Sequence, residues 1–262
     1  MTLVVSDISS HGIVMVGDSA VTLKYQNKIE IISDALKINY SKRLNIGVAL
    51  WGYASIGKDR LDYWIDSFLK NYNESDVDIE AFGEQLAFEL NSILSKSGLT
   101  WSDMVCGIHL TGFKGDLPCL YHIHCGHANE PSHELRLYHD FPEDKNWDLK
   151  YFKQILDNGF IHLRNGFHPL FGPLFDSILE YSKSLKINLN ISFPLNNLQS
   201  RFKFYKLLVK FVAGVLPISG IVPSVNDKLS AIAFTKDGLK IDERLPLIRN
   251  TEKGDSNMKC YF

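Results

Sequence analysis

The chain has 262 residues, 45% of them hydrophobic and 22% charged, which is enough apolar material for one large core of an ordinary globular protein. Twenty-eight Lys and Arg against thirty Asp and Glu leave a net charge of −2, so no basic field gathers phosphates and nucleic acid is not expected as a partner. The start carries no basic segment before an apolar run, and no stretch reaches the ~18 apolar residues of a membrane span. The expectation is a soluble, cytoplasmic protein with no membrane partner.

Taken in chain order, Thr2 to Ile8 is β-prone, Ser9-Ser10-His11-Gly12 supplies turn residues, and Ile13 to Val16 is continuously apolar, which predicts a hairpin. An unbroken apolar strand is normally buried on both faces. Asn45 to Trp51, Met104 to Phe113 and Cys119 to His124 read as further strands. Helical periodicity predicts Asp59 to Asn71, with Leu61, Trp64, Ile65 and Phe68 on one stripe, and Ile79 to Ser95, with Phe82, Leu86, Leu90 and Ile93 on another. Trp147 to Asn158, Leu170 to Leu185 and Leu198 to Val215 also read as helices. A last hairpin, Lys228 to Phe234 then Leu239 to Ile241, turns at Lys236-Asp237-Gly238.

This order of strands, helices, strands, helices and strands is met by an α+β fold in which two packed antiparallel sheets are covered by helices on their outer faces. We expect one domain over residues 1–250, with 251–262 as a loose polar tail. Cys106, Cys119, Cys125 and Cys260 lack the spacing of a disulfide framework and fit a reducing compartment.

Candidate chemistry starts at Thr2. Removal of Met1 would leave a free α-amine beside a hydroxyl, and an amine titrating near ~7.7 to 8.0 can take the proton from that hydroxyl, so one residue supplies nucleophile and base. Folding the first hairpin about Ser10 and His11 pairs positions whose numbers sum to about 21, which sets Thr2 opposite Asp18 or Ser19. Lys37 lies in Ala35-Leu-Lys-Ile-Asn-Tyr40, where Leu36, Ile38 and Tyr40 take one face of an extended run and Lys37 and Asn39 the other. A Lys there is either solvated or a buried ammonium that pairs with Asp18 and lowers the pKa of the Thr2 hydroxyl through its field.

Thr2 with Val4-Val5, followed by His11-Gly-Ile-Val-Met-Val-Gly-Asp-Ser-Ala-Val-Thr22, resembles the start of proteasome β-subunits and their bacterial proteasome-like relatives, which are N-terminal-nucleophile hydrolases. Asp18 stands sixteen residues after Thr2, as the family's Asp does, and the family's short Lys strand and small-residue turn are matched by Leu36-Lys37-Ile38 and Gly52-Tyr53-Ala54. The match covers residues 2–54 and the hairpin around Lys236-Asp237-Gly238. The resemblance implies a four-layer αββα sandwich and a threonine-type peptidase or amidohydrolase cleaving peptide or protein substrates through an acyl-enzyme. In it Thr2 is nucleophile and base, Asp18 and Lys37 support it, and the Gly52 amide is the oxyanion donor, a task suited to a preorganised backbone N–H. It also implies a homo-oligomer, ring-type in the family, and leaves room for an ATP-dependent unfoldase partner.

The sequence departs from that pattern in three places. Asp18 to Lys37 is longer than the family's spacing, so the Leu23 to Asp34 loop carries an insertion. The family's Gly-Ser-Gly turn has Arg164-Asn165-Gly166 as its nearest match. Ser224, before Asn226-Asp227, can match a supporting Ser, but no Asp falls where its partner should be. Two alternatives follow, a catalytically inactive scaffold or regulatory subunit and a non-peptidase amidase.

Three other signals compete. His122, His124 and His127 place two imidazoles on one strand face, but no carboxylate or thiolate completes a zinc set, so ordinary strand histidines are expected and no metal or other cofactor is implied. Gly52-Tyr-Ala-Ser-Ile-Gly-Lys58 has phosphate-loop spacing, yet Asp59 stands where a Ser or Thr hydroxyl should meet magnesium and would repel phosphate. Lys203, Lys206 and Lys210 recur at helical spacing opposite a core stripe and read as a wetted face or a partner surface.

Overall fold

The computed structural model describes residues 2–25, 28–33, 35–52, 54–56, 59–73, 78–97, 106–125, 134–141, 153–156, 159, 161–166, 171–178, 180–181, 195–218, 225–246 and 259–261. The first hairpin forms as the turn residues dictate. Strands β1 (Leu3–Ser9) and β2 (Gly12–Asp18) pair antiparallel with Val4 opposite Gly17 and Ser9 opposite Gly12, the register expected from a fold about Ser10 and His11. Gly12 at φ 125° takes a left-handed conformation that a side chain would strain.

Two five-stranded antiparallel sheets carry the architecture. One is ordered β12-β1-β2-β13-β14, with β12 (Ile161–Gly166), β13 (Leu229–Thr235) and β14 (Gly238–Glu243). The other is ordered β11-β10-β9-β6-β5, with β5 (Ile38–Ser41), β6 (Ile46–Gly52), β9 (Cys106–Lys114), β10 (Leu117–His124) and β11 (Arg136–Phe141).

Period-two alternation explains why both faces of these strands are buried. From the first sheet Val4, Ile8, Ile13, Met15, Ile232 and Phe234 point to the other sheet, where they meet Ile38, Tyr40, Ala49 and Leu120. Leu3, Val5, Val14, Val16, Ala231 and Ala233 point outward. The sheets approach closely at Gly47, where an added Cβ would lie 2.4 Å from Met15 Sδ and 2.8 Å from Thr111 Oγ1.

Helices cover both outer faces. Helices α1 (Leu61–Asn71) and α2 (Ile79–Ser97) bury Leu61, Ile65, Leu69, Phe82, Leu86 and Leu90 against Val48, Leu50, Ile108 and Leu110 of the second sheet. On the first sheet lie Phe171 and Phe175 of a helical stretch, α4 (171–178), and α5 (Leu198–Ile218), with Phe202, Tyr205, Leu208, Val209 and Val212 inward. A further helical stretch, α3 (153–156), places Leu156 in the layer between the sheets. The chain is thus an α+β sandwich of two antiparallel sheets with helices on their outer faces.

Three expectations change. The segment read as an enlarged Leu23 to Asp34 loop contains strand pairing between β3 (Ala20–Tyr25) and β4 (Lys28–Ser33), because β-branched and apolar residues there support a hairpin. Within the run read as a loose tail, β15 (Lys259–Tyr261) pairs with β3. The strands β7 (Ser55–Ile56) and β8 (Asp59–Arg60) pair with each other, so the helix expected from Asp59 begins at Leu61.

Candidate functional site

Three strand ends meet where β1 begins. Thr2 precedes β1, Asp18 closes β2, and Lys37 leads into β5 on the facing sheet. All three side chains are buried, with Thr2 at 1% and Asp18 and Lys37 at 0% exposure. The Lys37 ammonium donates to Thr2 Oγ1 and, at 2.9 Å, to Asp18 Oδ1.

Asp18 is held by backbone as well as by charge. Its Oδ1 accepts the Leu3 N–H at 2.8 Å and its Oδ2 the Ala20 N–H at 2.9 Å, so the carboxylate fastens the residue after Thr2 to the end of β2. Lys37 is fixed from its own side. The Leu50 N–H donates to its carbonyl at 2.9 Å, and Asp62 Oδ2, on the first turn of α1, accepts the neighbouring Leu36 N–H at 3.1 Å. Burial pulls the Lys37 ammonium below the ordinary lysine range, while the negative charges of Asp18 and Asp62 hold it back. An amine so tuned can hold a proton at the hydroxyl or receive one from it.

Gly52 ends β6 two residues beyond Leu50, at the Lys37 end of that strand, and turns the chain with φ 89°. Ser224 lies outside the described residues, as does His127. Arg164-Asn165-Gly166 ends β12, where Gly166 pairs with Leu3 and Asn165 with Val4, so this segment runs alongside the start of β1.

Two contributors were missed in the sequence. Asn226 Oδ1 accepts both the Ser19 N–H at 3.1 Å and the Ser19 hydroxyl at 3.2 Å, locking the residue after Asp18. Its Nδ2 is buried with no hydrogen-bond partner among the described residues. In the sequence the Asn226-Asp227 pair served only to locate Ser224, and nothing there pointed to Ser19. Asp62 was not singled out, since an acid in a helix's first turn is ordinary and its contact with Leu36 spans 26 residues.

The other singled-out histidines do structural work. The Trp51 indole donates to His122 Nε2 at 3.0 Å, which leaves the His122 proton on Nδ1, and His124 stacks on Tyr138 with ring centres 4.0 Å apart. Opposite His122 sits His109, whose Nε2 meets the Asn165 Oδ1 acceptor at 2.7 Å and whose Nδ1 meets the Ser6 hydroxyl at 3.0 Å. Burial drives His109 down to about 4, so it stays neutral and is a poor acceptor for a Ser6 proton. Among the described residues no group of three or more His, Cys, Asp or Glu could hold a metal ion. Among them, too, no helix is long and apolar enough to cross a membrane.

Fold and site together define an α+β sandwich of two antiparallel sheets with a buried hydroxyl, ammonium and carboxylate at its first strand. Among solved structures the chain is similar to Anbu (ancestral beta-subunit) from Yersinia bercovieri, with 11% identity, a TM-score of 0.50, and coverage of 93% of this chain and 85% of that one. It is also similar to Anbu from Hyphomicrobium sp. strain MC1, with 13% identity, a TM-score of 0.48, and coverage of 92% and 86%. A third is the helical assembly of the Anbu complex from Pseudomonas aeruginosa, with 14% identity, a TM-score of 0.49, and coverage of 93% and 85%. No family model and no curated protein matches the chain.

The Yersinia structure corrects the resemblance drawn from residues 2–54 and the Lys236-Asp237-Gly238 hairpin. Anbu proteins are proteasome-like but distinct from the proteasome β-subunits, so membership of the β-subunit family of N-terminal-nucleophile hydrolases is not supported, and the likeness that holds is one of fold. The reason lies in where the resemblance sat. Strand-end spacing around Asp18 and Lys37 follows from this sandwich geometry, so it marks the fold and not one family that uses it.

Proposed function

We propose that the chain is a threonine-type hydrolase that cleaves amide bonds of peptides or proteins, with Thr2 as its nucleophile once Met1 has been removed. The observation that carries this reading is the Lys37 ammonium bound at once to Thr2 Oγ1 and Asp18 in a buried cluster. A buried ion pair alone commonly ties elements together. One aimed at a hydroxyl beside a prospective α-amine has chemistry to perform.

In the proposed cycle Thr2 Oγ attacks the substrate carbonyl carbon while its proton passes to the α-amine, with the Lys37 charge favouring the alkoxide. The Gly52 N–H stabilises the developing oxyanion. Collapse of the tetrahedral adduct breaks the C–N bond, and the departing amine takes the proton held by the α-amine. Water, deprotonated by the same amine, then hydrolyses the acyl-enzyme ester and returns the hydrogen to Thr2. Asp18 keeps Lys37 charged and in place, and Ser224 is retained as a supporting hydroxyl. The residues fit a single domain through residue 250, and the free thiols of Cys106, Cys119 and Cys125 fit a reducing, cytoplasmic setting.

The test is hydrolysis of a fluorogenic peptide-amide library by the purified chain and by Thr2→Ala and Thr2→Ser. Turnover that Thr2→Ala abolishes and Thr2→Ser partly retains supports the reading. Equal turnover in Thr2→Ala removes it, and a folded, Met1-processed chain inert toward all amides points to the scaffold alternative.

A further inference from the structure

Charge on this chain is unevenly spread. The overall charge is −2, yet one cleft of about 230 Å³ is lined by four cations, Lys42, Arg43, Lys70 and Arg244, and by a single acid, Asp66. The cations come from three places in the chain. Lys42 and Arg43 sit in the turn after β5, Lys70 in the last turn of α1, and Arg244 just past the end of β14. Gathering like charges around one space costs energy, and an anion placed among them relieves that repulsion.

The cations are also held in place before any ligand arrives. Lys70 donates to Asp66 at 2.7 Å, and Arg244 grips Asp242 through Nε at 2.8 Å and through a terminal nitrogen at 2.7 Å. The turn that carries Lys42 and Arg43 is closed by the Leu44 N–H, which donates to Ser41 Oγ at 3.3 Å, and by the Tyr40 hydroxyl, which donates to Asn45 Oδ1 at 2.6 Å. Asn45 in turn donates to the Thr235 and Lys236 carbonyls, both at 3.0 Å, and so ties this turn to the β13–β14 hairpin. Arg244 and Lys42 act on the same carboxyl: Asp242 is held below the ordinary carboxylate range chiefly by Arg244, with Lys42 adding to it. A cation set fixed in this way loses little freedom on binding.

Size and charge narrow the ligand. The cleft is smaller than the ~300 to 1,000 Å³ of pockets for drug-sized molecules, so it suits a small anion. Four cations against one acid leave more charge than a single carboxylate answers, whereas a phosphate monoester carries about −1.5 to −2 near pH 7 with three acceptor oxygens. We propose that this cleft binds the phosphate group of a small soluble phosphate monoester, with Arg43 and Arg244 supplying directional hydrogen bonds and Lys42 and Lys70 supplying charge. Ser41 closes β5 whereas Lys37 leads into it, so the cleft stands at the other end of that strand from the Thr2 cluster and does not rest on the hydrolase reading.

Isothermal titration calorimetry at fixed ionic strength tests this with inorganic phosphate and glycerol 3-phosphate as probes, and the thermal midpoint serves as fold control for each variant. Wild type should bind both probes at one site per chain, and more weakly as salt is raised. Lys42 and Arg43 are exposed, so Lys42→Ala/Arg43→Ala should fold normally and weaken binding about tenfold or more. Asp66→Asn should tighten binding by up to about fivefold, a gain that misfolding cannot produce. Lys203→Ala/Lys210→Ala removes the same charge from the exposed side of α5 and should leave binding unchanged. The proposal is overturned if neither probe binds, if the turn variant binds like wild type, if the α5 variant loses as much as the turn variant, or if Asp66→Asn weakens binding. Binding to phosphatidic acid vesicles without binding to either soluble probe also overturns it, since that result assigns the phosphate to a lipid.

Discussion

Two buried ion pairs hang from the first two strands, and they have different consequences. At one end of the hairpin Asp18 meets Lys37, whose ammonium also holds Thr2 Oγ1. Toward the other end Asp7, on β1, accepts from the Tyr205 hydroxyl at 2.8 Å and from Arg201 at 3.3 Å. Arg201 also donates to the Gly159 carbonyl at 2.9 Å. Both clusters are almost solvent-free. The Asp7 set joins α5 to the sheet, and its one hydroxyl, Tyr205, is held well above the ordinary tyrosine range by burial and by the Asp7 charge, so it stays protonated. Burial of charge by itself therefore marks cohesion, and a hydroxyl at a chain start beside the charge is what marks a site.

That contrast breaks down if the two clusters respond alike to substitution. The largest difference is expected at Thr2→Ala, which should abolish amide turnover while leaving the urea midpoint within about 1 kcal/mol of wild type, as truncating one hydroxyl allows. Lys37→Ala should lower turnover by about 10²- to 10⁴-fold and should also destabilise by roughly 3 to 5 kcal/mol, because Asp18 is left as an unpaired buried charge. Lys37→Arg, which keeps the charge but not the geometry, should recover most of the stability and little of the rate. Arg201→Ala should show the reverse pattern, with a loss of about 3 to 5 kcal/mol above neutral pH and an unchanged rate per folded molecule. Denaturant melts and initial rates on the same preparations check all of these.

The pH dependence of stability sharpens the contrast further. Burial raises the Asp7 carboxyl from its ordinary 3.8 to about 7, against the opposing pull of Arg201 and Tyr205. The folded chain then binds a proton between about pH 4 and 7 that the unfolded chain does not, so this group's contribution to stability falls as pH rises through that window. His109 and His162 act oppositely. Burial lowers both to about 4, and they lose stability as pH falls from about 6.5 toward 4. The difference in unfolding free energy between wild type and Asp7→Asn isolates the first effect and should decline with pH by a few kcal/mol across the window. A flat difference would show that Asp7 titrates normally. The smallest effect is expected at Asn226→Ala, about 1 kcal/mol for the lost Ser19 clamp.

Much of the sandwich was legible because local chemistry and long-range packing agree there. The turn at Ser9 to Gly12 set the β1–β2 register, apolar stripes set α1, α2 and α5, and Lys236-Asp237-Gly238 closed the β13–β14 hairpin. Strands β11 and β12 were missed, since Arg136–Phe141 and Ile161–Gly166 mix charges with apolar residues and gain strand character from their neighbours β10 and β1. At the site, the hairpin register set Thr2 opposite Asp18, whereas Lys37 was left open between a solvated and a buried ammonium, and only the family resemblance joined it to the other two. Asn226 and Asp62 were not legible, because each acts on a backbone group 207 or 26 residues away, and a turn Asn or a helix-start Asp looks the same whether or not such a partner exists.

The central claim, that a freed α-amine and the Thr2 hydroxyl act as one nucleophilic unit, is tested most directly by intact-mass spectrometry before and after treatment with a peptide epoxyketone. The account predicts a chain lacking Met1 that gains one probe mass, mapped to Thr2, with no adduct in Thr2→Ala or in acid-unfolded protein. A folded chain that retains Met1, or an adduct that persists in Thr2→Ala, would contradict it.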